Sequence, residues 1–386
     1  MHDERQMSKN DRIALFLPSL CGGGAERVMV NLAIAFCERG VGVDLVLLQP
    51  EGPYLRELPP GVRVVNLKAS RMLTGFAALV RYLRREKPRI MLSAMRHVNV
   101  TALLAASLSG SQVPVVVCDH NTATVELDQT PGIKSIVIRV LMRWLYPRAY
   151  NIVAVSKGVA DDLAILLRLN TNRIKVIHNP IVKEELFTLS NQPVTHSWFV
   201  NKLFPIVLAV GRLTPQKDYK TLLQAFSIAR GTRDLRLMIL GEGELRSGLE
   251  TLIEQLGLVE DVALPGFTEN PFAYMRQADM FVLSSLWEGL PTVLIEAMAC
   301  GAPVISTDCP SGPDEILENG KWGRLVPVGD ANALAQAMLD TLDNSGPSPT
   351  QRAMDYSVDK SVDAYLSLLF ANDEAKSESS RLLTNS

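Results

Sequence analysis

Short runs of apolar residues alternate along the first half of the chain with longer stretches in which apolar residues recur at helical spacing. A short apolar run predicts a buried strand, and apolar positions three and four residues apart predict an amphipathic helix. The predicted strands are Arg12–Leu17, Val43–Leu48, Val62–Leu67, Ile90–Ser93, Val115–Cys118 and Ile152–Val155. The predicted helices are Ala25–Arg39, Gly75–Glu86, Val98–Leu108, Ile133–Tyr146 and Gly158–Leu167. Strands that alternate with helices are typical of a parallel, doubly wound α/β sheet.

The alternation stops and then restarts in the second half. Residues 183–202 have no clear periodicity and are rich in Ser, Asn, Gln, Pro and Thr, which predicts a linker. Beyond them the predicted strands are Ile206–Val210, Arg236–Leu240, Val262–Leu264, Met280–Leu283, Val304–Ser306 and Arg324–Val326. The predicted helices are Tyr219–Ala229, Glu244–Leu256, Phe272–Gln277, Leu294–Ala299, Asp314–Glu318 and Ala331–Leu342. The second half therefore predicts a second parallel sheet of the same kind.

These patterns divide the chain into two Rossmann-like domains. We expect a first domain over residues 1–185, a linker over 186–204 and a second domain over 205–355. Residues 356–372 predict a C-terminal helix that packs back on the first domain, and the polar residues 373–386 predict a disordered tail. Because open α/β sheets bind ligands outside the carboxyl ends of their strands, we expect a ligand in a cleft between the two domains.

The composition is that of a globular protein with large apolar cores. The 386 residues are 47% hydrophobic and 21% charged, which argues against intrinsic disorder. Five scattered cysteines without a Cys-x-x-Cys pair argue against a disulfide framework and against structural zinc. The first twelve residues mix acids and bases and precede only a short apolar run, which is unlike a secretory signal. We therefore expect a cytoplasmic location.

Charge is divided unevenly between the two halves, although the net charge is only −2. Residues 1–185 carry 24 Lys and Arg against 16 Asp and Glu, whereas residues 186–386 carry 15 against 25. Two basic amphipathic stretches, Phe76–Arg89 and Ile133–Arg148, lie in the basic half. Each is explained equally well as a helix packed on the sheet or as a surface for anionic lipid headgroups. The basic excess favours peripheral association with the inner face of the cytoplasmic membrane, and the absence of interleaved aromatic residues argues against nucleic acid.

Two glutamates follow the predicted strand Met280–Leu283 in the segment SSLWEGLPTVLIE, residues 284–296. We expect Glu288 in the loop at the carboxyl end of that strand, and Glu296 on a helix that begins near Pro291, since proline is well tolerated in a first helical turn. The free N–H groups at such a helix start favour an anion such as a diphosphate. One glutamate alone is more simply explained as a solvated surface residue, but the Gly and Pro between the two favour a binding site.

The segment EGLPTVLIEAMACGAPVI resembles the E-x7-E motif of retaining glycosyltransferases of family 4, which adopt the two-domain GT-B fold. Further matching motifs occur in the family's order over nearly the whole two-domain region: GGGAERV, CDHN, VSKGV, VIHNP, GRLTPQKDY, LGEGELR and PGF. The segment TDCPSGPDEIL, residues 307–317, is similar to members that build bacterial surface or lipid-linked glycans. The resemblance implies that the first domain binds the acceptor and the second binds a nucleotide sugar.

The resemblance also implies roles for single residues. Arg212 and Lys217 would give two cations to the donor diphosphate, so that its charge is neutralised without a metal. Glu296 would accept hydrogen bonds from the ribose hydroxyls. Glu288 would position the donor sugar and stabilise charge rather than form a covalent intermediate. The other residues implied in donor binding are Gly23, Gly24, Gly241, Glu242, Phe267, Gly289, Leu290, Pro291 and Thr292.

His120 follows the predicted strand Val115–Cys118 and matches the family's histidine that contacts the donor sugar and the reaction centre. The resemblance therefore implies a catalytic role for it beside Glu288, Arg212 and Lys217, although a lone histidine is more often structural. The glycines at residues 22–24 let backbone amides approach a ligand, and loop flexibility explains them equally well. They are not a dinucleotide-binding fingerprint, because the third glycine and the acidic residue after the second strand are missing. Asp218 stands where the family often has glycine.

The resemblance implies a retaining enzyme that transfers a hexose or an N-acetylhexosamine from a nucleotide-diphosphate sugar, with UDP as the expected nucleotide. The expected acceptor is a lipid-linked or surface-glycan saccharide, and no metal ion or other cofactor is expected. Two alternatives remain: a soluble glycosyltransferase that acts on a sugar or sugar phosphate, and a non-hydrolysing nucleotide-sugar epimerase that needs no acceptor. The missing fingerprint argues against a nicotinamide-dependent dehydrogenase.

Overall fold

The computed structural model of the chain describes residues 12–21, 23–129 and 132–370. The chain divides into two compact units. The first comprises Met1–Val155, Ala160–Pro180 and Val358–Ser386, and the second comprises Ser156–Val159 and Ile181–Ser357. None of the helices in the described ranges is both long enough and apolar enough to cross a bilayer.

The described part of the first unit contains a seven-stranded parallel sheet. Its strands are β1 (Ile13–Leu17), β2 (Val43–Leu47), β3 (Val62–Asn66), β4 (Ile90–Ala94), β5 (Val115–Asp119), β6 (Asn151–Ala154) and β7 (Ile174–Val176). They lie in the spatial order β3-β2-β1-β4-β5-β6-β7. The helices up to β7 are α1 (Gly24–Glu38), α2 (Met72–Glu86), α3 (Arg96–Ser109), α4 (Ala123–Gln129), α5 (Ile133–Leu145) and α6 (Lys157–Leu167). Strands β1, β2, β4 and β5 are buried throughout, as expected of parallel strands covered on both faces.

Asp44 places a buried charge within this largely apolar sheet. It lies on β2 and accepts hydrogen bonds from Arg12, Arg63 and Tyr82, the last at 2.7 Å between Oη and Oδ2. Burial alone would raise the pKa of Asp44, but hydrogen bonds from Arg63, Tyr82 and Arg12 hold it below its ordinary value. The buried carboxylate is tolerated because its charge is paired and hydrogen-bonded.

Residues 358–370 form a C-terminal helix that belongs to the first unit. The hydroxyl of Tyr365 lies 3.3 Å from Sγ of Cys118 at the end of β5. Arg39, which follows α1, pairs with Asp359 and Asp363 at 2.7 Å each. Val362, Tyr365 and Leu369 are also buried, so apolar packing holds the helix in this unit together with these polar contacts.

The second unit contains, within the described residues, a six-stranded parallel sheet. Its strands are β8 (Ile206–Val210), β9 (Arg236–Leu240), β10 (Val262–Gly266), β11 (Met280–Leu283), β12 (Val304–Thr307) and β13 (Arg324–Val326), in the order β10-β9-β8-β11-β12-β13. The helices are α7 (Glu184–Ser190), α8 (Ser197–Val200), α9 (Tyr219–Arg230), α10 (Arg246–Gln255), α11 (Pro271–Gln277), α12 (Thr292–Ala299), α13 (Pro313–Ile316), α14 (Ala331–Asp343) and α15 (Thr350–Ala353). Its core includes Leu222 and Phe226 of α9, Leu237 of β9 and Met338 of α14, all fully buried.

The two parallel sheets confirm the predicted fold class of two doubly wound α/β domains. Several short elements differ from the predictions. The segment predicted as an irregular linker contains α7 and α8, each of which buries an apolar side chain, Leu186 and Phe199. Helices this short contain too few apolar residues to show a period. Strand β7 and helices α4 and α15 were not predicted either, because elements of three to seven residues are too short to show a period. The predicted tail at 373–386 lies outside the described residues.

Candidate functional site

Lys217 and Glu288 follow two strands that lie side by side in the second sheet. From β8 the chain continues outward through β9 and β10, whereas from β11 it continues through β12 and β13 on the other side. The β8–β11 pair is therefore the point at which the strand order reverses. In open α/β sheets a crevice forms at this point outside the carboxyl ends of the strands, and ligands bind in it.

Lys217 and Glu288 form an ion pair at this point. Nζ of Lys217 lies 2.6 Å from Oε1 of Glu288, and the two side chains keep only 15% and 9% of their exposure. Ser285 Oγ donates to the same oxygen at 2.6 Å, and Gln216 Nε2 donates to Oε2 at 3.4 Å. These contacts fix the carboxylate in position. An ammonium has three N–H donors, so Lys217 keeps donors for a ligand.

Contacts between the loops after β8 and β11 hold the ion pair in place. Ser284 Oγ donates to the carbonyl of Lys217 at 2.7 Å, and the N–H of Leu286 donates to the carbonyl of Gln216 at 2.8 Å. The position of Lys217 is thus set by the loop that carries Glu288.

Asp218 shows how the loop after β8 forms without the glycine that the family often has there. Its φ of 44° and ψ of 49° lie in the left-handed region, which aspartate tolerates better than most residues. Its carboxylate also caps α9, accepting from the N–H of Thr221 at 3.3 Å and from the Thr221 hydroxyl at 2.6 Å. The cap offsets the backbone strain, so aspartate is accommodated directly after Lys217.

Helix α12 begins at Thr292, four residues after Glu288, with Pro291 as the residue before the helix. This start agrees with the prediction made from Pro291. The first N–H groups of a helix have no intrahelical acceptor and carry partial positive charge. Leu290 and Pro291 are buried, and Glu296 is half-buried on the second turn. The E-x7-E segment thus places Glu288 before a helix start and Glu296 within the helix.

Three other predicted donor-binding residues make no described contact with the ion pair. Arg212 is exposed and forms no ion pair with any residue of the described ranges. Glu242 accepts from Arg246 at 2.8 Å from Nε and 2.7 Å from Nη2, and this pairing lowers the pKa of Glu242. Phe267 is 78% exposed.

Gly241 has a structural reason to be glycine. Its φ is 145°, and a Cβ at this position would lie 2.0 Å from the carbonyl oxygen of Gly211. The loops after β8 and β9 therefore pack backbone against backbone, with no room for a side chain.

In the first unit, the strand order reverses between β1 and β4, and the glycine loop follows β1. Gly22 lies outside the described residues. Gly23 precedes α1, and its N–H donates to Glu26 Oε2 at 3.0 Å. Gly24 begins the helix, and among the described residues no atom outside its chain neighbours and its own helix backbone lies within 4 Å of a Cβ built at this position. The switch point of this sheet is thus next to a helix start with open space beside it.

His120 directly follows β5, the strand next to β4. Both of its ring nitrogens are buried, and within the described residues neither makes a hydrogen bond of ordinary geometry. The Asn179 side chain is the neighbouring polar group, and its interaction with the ring raises the pKa of His120 against the larger effect of burial. Burial lowers the pKa of His120 to about 4, so the ring is neutral near pH 7. The side-chain oxygen of Asn179, in the same unit, is also buried and makes no hydrogen bond of ordinary geometry in the described ranges.

A buried polar network next to His120 was not predicted. Tyr146 Oη donates to Asp119 Oδ2 at 2.9 Å, and Asn99 Nδ2 lies 3.1 Å from Tyr146 Oη. Ser93 Oγ donates to Asn99 Oδ1 at 2.8 Å. Burial raises the pKa of Asp119 to about 6. These residues come from separate strands and helices, and the only local signal is a carboxylate directly before His120.

The structure therefore brings Lys217 and Glu288 together, with Ser285 and Gln216 as partners that sequence reasoning missed. Both partners lie inside the motifs SSLWEGLP and GRLTPQKDY, which is the signal that identifies them. Within the described ranges, no group of three or more His, Cys, Asp or Glu side chains is arranged to hold a metal ion. The roles of the predicted site residues remain predictions.

Two family models together match most of the chain. The model described as Glycosyltransferase Family 4 matches residues 22–185, and the model described as Glycosyl transferases group 1 matches residues 196–360. The fold is also found in solved structures: Anabaena Alr3699/HepE in complex with UDP and glucose is 20% identical, with a TM-score of 0.77 over 93% of this chain and 99% of that one. The lipopolysaccharide outer core galactosyltransferase WaaB has a TM-score of 0.71 at 20% identity, over 94% of this chain and 99% of that one.

Curated relatives match over nearly the full length. The N-acetylgalactosamine-N,N'-diacetylbacillosaminyl-diphospho-undecaprenol 4-alpha-N-acetylgalactosaminyltransferase of Campylobacter jejuni is 30% identical over 346 residues, covering 86% of this chain and 90% of the relative. The amylovoran biosynthesis glycosyltransferase AmsD of Erwinia amylovora is 27% identical over 84% of this chain and 87% of the relative. With two parallel sheets, both family models and relatives of this length, the chain belongs to the family 4 glycosyltransferases of the GT-B fold.

Proposed function

We propose that the protein is a retaining glycosyltransferase that transfers a hexose or an N-acetylhexosamine from a UDP-sugar to a lipid-linked saccharide during polysaccharide or glycan assembly. The observation that carries the proposal is the Lys217–Glu288 ion pair at the switch point between β8 and β11. Two relatives from Campylobacter jejuni support the acceptor class, since their names give undecaprenol-diphosphate-linked acceptors. The UDP bound to Alr3699/HepE supports the nucleotide.

Lys217 and Arg212 would bind the donor diphosphate. Lys217 keeps N–H donors beyond the one used on Glu288, and Arg212 is exposed on the same loop. The start of α12 would add backbone N–H donors and its partial positive charge. Two cations and a helix start can neutralise the leaving UDP, so we propose that the reaction needs no metal ion or other cofactor. Glu296 would accept hydrogen bonds from the ribose hydroxyls.

Around the nucleotide, Gly241, Glu242 and Phe267 would bound the base, with Arg246 holding the Glu242 carboxylate. Gly23 and Gly24 would bring backbone N–H groups near the diphosphate and the acceptor, where the space beside Gly24 is open. His120 would contact the donor sugar as a neutral ring, because burial keeps its pKa far below 7.

In the chemical step, the bond between the anomeric carbon and the diphosphate oxygen breaks, and a bond from the acceptor hydroxyl forms on the same face. The hydroxyl proton passes to the leaving phosphate oxygen, and UDP departs. Glu288 is held by Lys217, Ser285 and Gln216, which suits a group that positions Lys217 and stabilises positive charge on the sugar. It is not assigned as a nucleophile. Because the acceptor is lipid-linked, we propose that the enzyme acts at the inner face of the cytoplasmic membrane.

The test is transfer from a panel of labelled UDP- and GDP-sugars into extracted lipid-linked acceptors, with and without EDTA, followed by NMR assignment of the anomeric configuration of the product. We expect one UDP-sugar to be used, the configuration to be retained and EDTA to have no effect. Glu288→Gln should lower the transfer rate by about 10²–10³-fold. Glu260→Gln, which neutralises an exposed acid of the same unit, is the matched control and should retain the wild-type rate.

Other outcomes would overturn the proposal. Transfer to soluble sugars alone would identify a soluble glycosyltransferase, and conversion of the donor without any acceptor would identify an epimerase. Inversion of configuration would exclude the proposed same-face step. Equal rates for wild type and Glu288→Gln would remove Glu288 from the site.

A further inference from the structure

Helix α5 presents a continuous row of large apolar side chains to solvent. Ile133, Ile136, Val137, Val140 and Trp144 are 80%, 63%, 47%, 58% and 56% exposed. They are spaced three, one, three and four residues apart, which places them on one face of a helix. An exposed apolar row of this size marks an interaction surface.

The opposite face of α5 already packs on the first unit. Ser135, Met142 and Leu145 are buried, and Ser135 Oγ donates to the carbonyl of Leu127 at 2.9 Å. Arg143 Nε donates to the carbonyl of Leu166 at 2.7 Å. The helix is thus anchored by a second set of residues, and the exposed row is not its packing face.

Helix α2 differs in this respect, although the two stretches are indistinguishable as basic amphipathic sequences. Its apolar face is turned inward, with Leu79, Tyr82 and Leu83 buried. Leu73, at its start, is its one large apolar residue that is largely exposed within the described ranges. Arg84 donates to the carbonyls of residues 108 and 109 at 2.9 Å each. The structure therefore assigns α2 to packing and leaves α5 as the surface helix.

Positive side chains border the exposed row of α5. By helical position Lys134 lies on one side of the row and Arg143 on the other, and both are exposed. The guanidinium of Arg148 lies 4.5 Å from the centre of the Trp144 ring. Arg139, on the same helix, is paired with Asp128, so its charge is balanced. The side chains that border the apolar row therefore carry a net positive charge, and the row ends at Trp144.

We propose that this face of α5, from Ile133 to Arg148, docks the protein on an anionic phospholipid bilayer. An apolar stripe bordered by Lys and Arg fits a helix that lies in the plane of the interface, with its apolar side chains among the acyl chains and its cations among the headgroups. Tryptophan is enriched at that depth. Docking would bring the enzyme to its lipid-linked acceptor, and this part of the inference rests on the proposed function.

The test measures binding of the full chain to vesicles of phosphatidylcholine with phosphatidylglycerol by co-sedimentation, without donor or acceptor. Lys134→Gln with Arg148→Gln should weaken binding by about fivefold for each charge, the effect of about 1 kcal/mol per basic residue near an anionic surface. The matched control is Arg81→Gln with Arg85→Gln on α2, which removes the same charge from exposed positions and should leave binding unchanged. Ile136→Ser with Val140→Ser should weaken binding at least about tenfold.

A second measurement reports the depth of α5 directly. The tryptophan emission of the wild type should shift to shorter wavelength on adding the vesicles, and the shift should be absent in Trp144→Phe. Equal losses for the α5 and α2 charge variants, or no emission shift, would overturn the proposal. So would a wild-type dimer that Ile136→Ser with Val140→Ser converts to a monomer, since a second copy would then cover the row. Vesicle binding is measured without turnover, so failed transfer alongside intact binding would count against the proposed function alone.

Discussion

Nζ of Lys217 lies 2.6 Å from Oε1 of Glu288, although the two residues are 71 positions apart in the sequence. The contact joins the carboxyl ends of β8 and β11, the neighbouring strands at which the order of the second sheet reverses. A cation at this point can stabilise the negative charge of a leaving group, and the carboxylate beside it keeps the cation oriented. The proposed donor site is built on this pair.

The pair should contribute to stability as a coupled unit. Lys217→Met or Glu288→Gln should each lower the free energy of unfolding by about 2–3 kcal/mol, because each removes one charge of an ion pair in a largely buried position. The double variant should lose clearly less than the sum of the two single losses. Urea unfolding of the four proteins measures this coupling. Arg233→Gln and Asp343→Asn, which break an exposed ion pair of the same unit, form the control cycle and should show at most about 1 kcal/mol. Additive losses at Lys217 and Glu288 would contradict the coupling.

Two glycines of the second unit should respond oppositely to alanine. Gly241→Ala should destabilise the unit by at least about 3 kcal/mol, because the new Cβ would meet the carbonyl oxygen of Gly211 at 2.0 Å in a positive-φ conformation. Gly248→Ala lies inside α10 with open space around it and should stabilise by about 0.5–1 kcal/mol. Thermal unfolding compares the two. A neutral Gly241→Ala would show that the two loops do not pack as closely as described.

His120 should make stability depend on pH. Its folded pKa of about 4 lies below the ordinary value of 6.5, so between these values the unfolded chain binds a proton that the folded ring does not. The contribution of this residue to folding is therefore complete above about pH 6.5 and is lost as the pH falls toward 4. Urea unfolding across this range should show a weaker loss toward low pH in His120→Gln than in the wild type. Identical pH dependence would mean that the ring is solvated.

Asp119 should show the opposite sign. Burial raises its folded pKa to about 6, so the folded protein holds a proton at this carboxyl that the unfolded chain has already released. Its presence costs stability as the pH rises from about 4 to about 6. Asp119→Asn should therefore gain stability relative to the wild type across that window and keep the gain above it. Asp161→Asn removes an exposed acid of the same unit and serves as the matched control. A stability difference that does not change with pH would contradict the raised pKa.

Much of the fold follows from the sequence pattern, because buried parallel strands such as β8 and β11 are continuous apolar runs with clear ends. The helix start at Pro291 and the cations Arg212 and Lys217 are also visible in the sequence. The side chains that contact these groups cannot be identified from the sequence. The contact of Gln216 with Glu288 depends on how the loops after β8 and β11 meet. The contacts Ser285–Glu288 and Glu242–Arg246 are three and four residues apart, and they depend on the backbone path of a single loop. The two basic amphipathic stretches are alike in sequence. Only the folded unit shows that the apolar face of α2 is covered and that the apolar row of α5 is exposed.

The central claim is that the loops after β8 and β11 bind a nucleotide diphosphate without a metal. It is tested most directly by calorimetric titration of UDP in EDTA into the wild type, Arg212→Gln and the surface control Arg233→Gln. We expect UDP to bind the wild type and Arg233→Gln equally and to bind Arg212→Gln about 10- to 100-fold more weakly, the range for losing a charge-assisted hydrogen bond. No binding of UDP to the wild type in EDTA, or equal affinity in all three proteins, would contradict the account.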